Sequence, residues 1–328
     1  MRRRTSTERA VVFLGGGARA AVSRVDRRGL IRRTIFTAML AAPLCGQGVQ
    51  AVETNTGDGG PQQLIVEPGY ALWFSTEFGL TSAQIGAVSD GDLLTDRGRR
   101  LRTNSQLTRH LGIMPVVPDI GLDALGLTPA TASLLLSCEI DIFSETIGPL
   151  SHGSLLNFHG LVAATNQQLT SAFVPQPGDV DAGLDAFHTD LQTGELWFSL
   201  ETPLFSQALG VSLEPGDLCS SAGYIVRTNA QLLENFTILN PLPGGYGLDA
   251  VTRLPNGGLL FSVEEDFFDL RHGPVGHGDI LSDSGHVLVR NLDLIRPFQP
   301  FEDLGDFGLD ALQVVPLPAL GNATRMAP

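Results

Sequence analysis

The sequence has no lysine; all 21 basic residues are arginine. Cysteine is scarce, at 3 residues, and charged residues make up only 17% against 43% hydrophobic. That balance excludes a globally disordered chain. No apolar run reaches the ~18 residues of a membrane helix, so no transmembrane span is expected. Several catalytic words are also missing. There is no His-x-x-x-His or His-Glu-x-x-His zinc pattern, no Gly-x-Ser-x-Gly nucleophile elbow and no P-loop. What is abundant is turn chemistry: 38 Gly and 20 Pro in 328 residues disfavour long helices.

Charge is unevenly placed. Residues 1–51 carry ten Arg against Glu8 and Asp26, a balance of +8, while residues 52–328 stand at −22. A basic stretch, the apolar run Thr34–Leu44 and the small-residue site at Val49-Gln50-Ala51 read as an export leader. Asp26-Arg27-Arg28-Gly29-Leu30-Ile31 resembles a twin-arginine signal. The expected location is therefore secreted, periplasmic or at the surface of a bacterial cell. The acidic remainder disfavours nucleic acid as a partner. Cys45 leaves with the leader; Cys138 and Cys219 sit at mostly apolar repeat positions and read as buried free thiols.

The dominant feature is a repeat. Gly-Leu-Asp-Ala occurs at Gly121–Ala124, Gly183–Ala186, Gly247–Ala250 and Gly308–Ala311, with spacings of 62, 64 and 61. A second word follows the pattern aromatic or Leu, Ser, any residue, Glu: Phe74–Glu77, Leu136–Glu139, Phe198–Glu201 and Phe261–Glu264. A third begins at Gly91, Gly153, Gly216 and Gly278. A fourth is Asn104, Asn166, Asn229 and Asn291, each with Gly six residues before and Leu three after. Each copy reads as four short strands, the last preceded by a glycine turn that needs positive φ.

Four-stranded units of about this size predict an all-β fold, a propeller of four blades. The first unit lacks Gly-Leu-Asp-Ala and the chain ends on a surplus copy, Gly308–Pro316. The expectation is that this C-terminal strand lies beside Leu72–Glu77 and closes the ring. The organisation is then leader 1–51, linker 52–61, repeats 62–316 and tail 317–328.

These units resemble repeats of uncharacterised secreted bacterial proteins with propeller-like folds. Val315-Pro-Leu-Pro-Ala319 resembles the opening of a C-terminal sorting signal found in some of them. The following residues hold no membrane helix and only Arg325, so either the signal is truncated or the five-residue word matches by chance. The resemblance implies no established activity.

The repeated acids are the candidate metal ligands: Asp123, Asp185, Asp249 and Asp310 at one position, Glu77, Glu139, Glu201 and Glu264 at another. Asp92, Asp217 and Asp279 form a third set, with Ser154 in the second copy. In a ring each set becomes a circle of carboxylates, which repel unless a cation joins them. Ca²⁺ is the cofactor such oxygens suit. The bland reading, in which these acids hydrogen-bond backbone, takes precedence. No catalytic residue is assigned. The histidines read as surface-loop residues, and the acids around Glu264-Glu265-Asp266 and Asp269 as solvated. The expected function is a secreted binding or scaffold module for a protein or glycan ligand. The alternative is a metal-dependent hydrolase or lactonase acting at the central channel.

Overall fold

The computed structural model describes residues 21–25, 31–35, 70–128, 133–190 and 193–316. The leader's cleavage site, the linker and the tail, with Leu317–Ala319 of the sorting-signal match, lie outside them. Within residues 1–61, which form a unit of their own, β1 (Ala21–Val25) pairs antiparallel with β2 (Ile31–Ile35).

From residue 70 the chain is all-β, in small antiparallel sheets with a few short helices. The first repeat holds β3 (Tyr70–Ser75), the hairpin β4 (Leu80–Ser82) and β5 (Gly86–Val88), then β6 (Leu93–Thr95), β7 (Arg99–Arg102) and α1 (Asn104–Thr108). The second holds β8 (Leu125–Leu127), β9 (Leu134–Leu136), the hairpin β10 (Ile142–Ser144) and β11 (Gly148–Leu150), then β12 (Leu155–Asn157), β13 (Leu161–Ala164) and α2 (Asn166–Thr170). After β14 (Pro175–Gln176), the third holds β15 (Phe187–Thr189), β16 (Leu196–Phe198), the hairpin β17 (Leu204–Ser206) and β18 (Val211–Leu213), then β19 (Leu218–Ser220), β20 (Tyr224–Arg227) and α3 (Asn229–Leu232). The fourth holds β21 (Val251–Arg253), β22 (Leu259–Phe261), the hairpin β23 (Phe267–Asp269) and β24 (Gly273–Val275), then β25 (Ile280–Ser282), β26 (His286–Val289) and α4 (Asn291–Ile295). The last strand is β27 (Ala311–Pro316).

Four sheets have four strands each, in the orders β27-β3-β6-β7, β8-β9-β12-β13, β15-β16-β19-β20 and β21-β22-β25-β26. The C-terminal strand lies where the surplus copy places it. Ala311 pairs with Ser75, and the register runs to Pro316 opposite Tyr70. The predicted glycine turns are present, with Gly98, Gly160, Gly223 and Gly285 at φ of 69, 78, 91 and 80°. A side chain at Gly285 would meet the Asn235 carbonyl at 2.4 Å.

The apolar core is divided by repeat. One cluster joins Leu93, Leu107 and Leu111 to Leu125, Leu136 and Leu156, from the first and second repeats. The next joins Leu155 and Phe173 to Phe187 and Phe198, and a third Leu218 and Leu232 to Phe261 and Val275. The fourth joins Ile280, Leu294 and Phe298 to Leu72, Phe74 and Leu312. The leading strands follow the same succession: β8 lies against β15, β15 against β21, β21 against β27, and β27 against β8.

Two elements differ from the sequence reading. The connection between the inner two strands of each four-stranded sheet contains a hairpin in every repeat, and the segment at each recurring Asn is a short helix rather than more strand. Its start is a capping box in three copies: Thr103, Thr165 and Thr228 accept from the backbone N–H of Gln106, Gln168 and Gln231, whose side chains accept in return. Cys138 and Cys219 are buried free thiols. Burial pushes the Cys219 thiol up to about 12, so it is inert at neutral pH.

Candidate metal centre

The first two words are one structural device. Backbone pairs between them extend the leading two strands: Asp249 N–H donates to Ser262 and Ser262 N–H to Ala250. Each Gly-Leu-Asp-Ala glycine has φ near 70° (73, 76, 71 and 69°). A Cβ there would fall on Glu139, Glu201, Glu264 or Glu77, at 2.2–2.6 Å. The glycine thus supplies a left-handed turn and a flat seat for the glutamate of its own sheet.

The serine of the second word reaches the next repeat. Ser75 Oγ donates to the Leu122 carbonyl at 2.8 Å, Ser199 Oγ to Leu248 at 2.9 Å and Ser262 Oγ to Leu309 at 3.1 Å. Ser137 is the exception, its Oγ having no partner among the described residues.

The backbone-satisfying role falls to the Asn positions and the third acid set. Asn291 donates from Nδ2 to Gly308 and accepts at Oδ1 from Phe307 N–H; Asn104, Asn166 and Asn229 repeat this with Gly121 and Ile120, Gly183 and Ala182, and Gly247 and Tyr246. Asp92, Asp217 and Asp279 in turn accept from the N–H groups of Asn104, Asn229 and Asn291. Arg100 pairs with Asp92 at 2.9 Å and Arg290 with Asp279 at 2.6 Å.

The Gly-Leu-Asp-Ala aspartates lie just before the leading strand of each sheet. Asp123, Asp185, Asp249 and Asp310 are all buried. Ligand-capable oxygens of Asp185, Asp249 and Glu264 lie within 4.8 Å of one another, as do those of Glu77, Asp249 and Asp310. Burial raises the Asp185 carboxyl well above the usual carboxylate range, and the charges of Glu264 and Asp123, a side-chain hydrogen bond with Glu264 and the charge of Glu201 raise it further. Asp249 is raised in the same way, by burial and then by Glu264, Asp310, Glu77 and Asp185. Asp185 thus feels the charge of Asp123, and Asp249 those of Asp185 and Asp310. Glu139 sits over Gly121 and Glu201 over Gly183, outside the two close triads.

Two histidines border the acids, at matching positions of the second and fourth repeats. His277 Nδ1 lies 2.9 Å from Asp266 and its Nε2 3.9 Å from Glu77. His152 Nδ1 lies 2.8 Å from Asp141 and its Nε2 3.8 Å from Glu201. Burial opposes charging of His277, but Asp266, Glu77 and Asp306 outweigh it and raise the imidazole to about 9. The sequence signal is an Asp two residues after the repeated Glu together with a His before the third-word Gly.

Two expectations are corrected. Asp269 is not a solvated loop acid: it is fully buried and accepts from the N–H groups of Arg271 and His272 at 2.9 Å, and from Thr237. His188 is not on the surface: it is buried beside Trp197, with ring centroids 5.8 Å apart.

No protein-family model and no curated protein matches the chain. Among solved structures, it is similar to the extracellular domain of a putative one-component system from B. thetaiotaomicron. That match has 10% identity and a TM-score of 0.24, and covers 61% of this chain and 21% of that one. It is also similar to a protein of unknown function from Bacteroides caccae, at 8% identity and a TM-score of 0.26, over 75% and 99% of the two chains. The chain thus spans about a fifth of the first neighbour's length.

Proposed function

We propose that residues 62–316 form a four-bladed propeller closed by β27, and that this exported protein is a binding module whose rim engages a protein partner. The ring reading is supported by the four inter-repeat cores and by the order in which the leading strands touch. The export reading rests on the leader and the acidic remainder.

One observation carries the binding reading. Three hairpins present a phenylalanine to solvent at the same position: Phe143, Phe205 and Phe268, 50, 45 and 45% exposed. In the first repeat the position is Thr81, and Phe301, 72% exposed, donates its N–H to the Thr81 carbonyl. Exposed Met114 and Leu239 flank Phe143 and Phe268 through backbone hydrogen bonds. Repeated apolar patches on a soluble chain mark partner sites, and Phe and Met are enriched in protein interfaces.

The test is the variant Phe143→Ser/Phe205→Ser/Phe268→Ser. A partner taken from the envelope or medium of the producing bacterium is purified and titrated against both proteins. The expected result is at least tenfold weaker affinity with an unchanged melting temperature. Equal affinity overturns the rim reading, and binding to glycans alone transfers the ligand to that class.

A second reading, a metal-dependent hydrolase or lactonase, is favoured by the Asp266–His277 dyad, whose Nε2 faces Glu77. An ester and lactone screen with added calcium tests it; turnover at background discards it.

A further inference from the structure

The buried aspartates have a property that the hydrogen-bond network does not absorb. Asp185 and Asp249 are 1 and 3% exposed, and the Oδ2 atom of each has no hydrogen-bond partner among the described residues. A buried carboxylate oxygen without a donor is costly, and a second carboxylate beside it adds repulsion. Fully satisfied alternatives existed in the same fold, since Asp92 and Asp279 each have an arginine and a backbone N–H. No arginine is paired with Asp185 or Asp249 among the described ion pairs.

The spacing of the cluster leaves room for a hard cation. Oxygens around Ca²⁺ lie at about 2.3–2.6 Å, so opposite ligands are about 4.8 Å apart and adjacent ones closer. The oxygens of Asp185, Asp249 and Glu264 meet that limit, and Asp249 is shared with the second triad, Glu77 and Asp310. Mg²⁺, at about 2.0–2.1 Å, needs a tighter shell and keeps its waters. The donor set is carboxylate oxygen only, which selects against zinc and copper.

We propose that Asp185, Asp249 and Glu264 hold one calcium ion where successive repeats meet. The ion replaces the missing donors and ties the third and fourth repeats together. This site is separate from the hairpin rim and stands whether or not the rim binds a protein.

The test uses the full chain, stripped with chelator and equilibrated with radioactive calcium, alongside thermal melts in calcium and in chelator. One ion per chain is expected, with a melting temperature several degrees higher in calcium. Asp249→Asn and Glu264→Gln should each weaken calcium binding at least tenfold, whereas the exposed Asp303→Asn should not change it. In chelator, Asp249→Asn should melt at or above the parent, because it removes a repelling charge without changing shape. If Asp249→Asn does not fold, Glu264→Gln and the parent's stoichiometry decide. The proposal is overturned by a parent that binds no calcium at 1 mM, by binding unchanged in both ligand variants, or by equal affinity for magnesium. No calcium binding would mean that shared protons hold the cluster.

Discussion

The side-chain amide of Asn291 donates to the carbonyl of Gly308 at 3.0 Å, and thereby ties the last helix to the turn that launches the final strand. The same side chain accepts from Phe307 N–H at 2.8 Å. Both backbone groups belong to a connection that enters the sheet only through β27, so one asparagine sets the path of the closing strand.

Asn291→Ala leaves these two buried backbone groups without partners. A stranded buried group costs ~1–3 kcal/mol, so a loss of about 3 kcal/mol is expected in urea denaturation. The exposed Gln167→Ala serves as control and should move the midpoint little. A small effect at Asn291 would show that water reaches this turn.

Deleting residues 308–328 removes β27 and uncovers the edge of β3 with Leu72 and Phe74, both fully buried in the intact chain. An open apolar edge invites aggregation, so the truncated protein should lose solubility or cooperative melting. A synthetic 308–316 peptide added in trans should restore part of the transition. A truncation that melts like the parent would contradict strand insertion.

Glycine substitutions separate conformation from contact. Gly210 has φ 71° with open space around it, whereas Gly285 has φ 80° and the Asn235 carbonyl 2.4 Å from a built Cβ. Gly210→Ala should cost about 1 kcal/mol, the conformational part alone. Gly285→Ala adds an overpacking cost of about 1–3 kcal/mol. Equal melting temperatures for the two would place the whole effect in the backbone.

His188 gives a pH dependence of known sign. Burial depresses its imidazole to about 4; Asp190 opposes this and Arg253 adds to it. The unfolded chain takes up this proton near the ordinary 6.5, so the unfolded state binds more protons below that pH. The contribution is intact above 6.5 and is lost as pH falls toward 4, at about 1.4 kcal/mol per unit. His188→Phe should flatten this part of the curve. Denaturation midpoints of parent and variant between pH 4 and 7 read it directly, and parallel curves would exclude the histidine as the source.

Some further features are legible in the chain alone. The words Thr103-Asn-Ser-Gln106, Thr165-Asn-Gln-Gln168 and Thr228-Asn-Ala-Gln231 are capping boxes, a local helix signal visible without any contact. Phe143, Phe205 and Phe268 recur at one position of the hairpin in the second, third and fourth repeats. Asp269 was misread because solvation was inferred from neighbouring acids, while its burial comes from backbone donors on Arg271, His272 and the distant Thr237.

The sequence by itself determined the all-β unit, its four copies, the glycine turns and the strand that pairs with β3. These follow from period-two alternation, from positive-φ turns and from word spacing, all of which act over a few residues or along the chain. Only the tertiary structure decided which acids meet. Asp185 and Glu264 are brought together by the packing of successive sheets, while Asp92, chemically identical to Asp185, is claimed by Arg100 and the Asn104 N–H. A carboxylate's partner depends on which donors surround it in space, and residues drawn from separate repeats fix that arrangement only when the sheets pack.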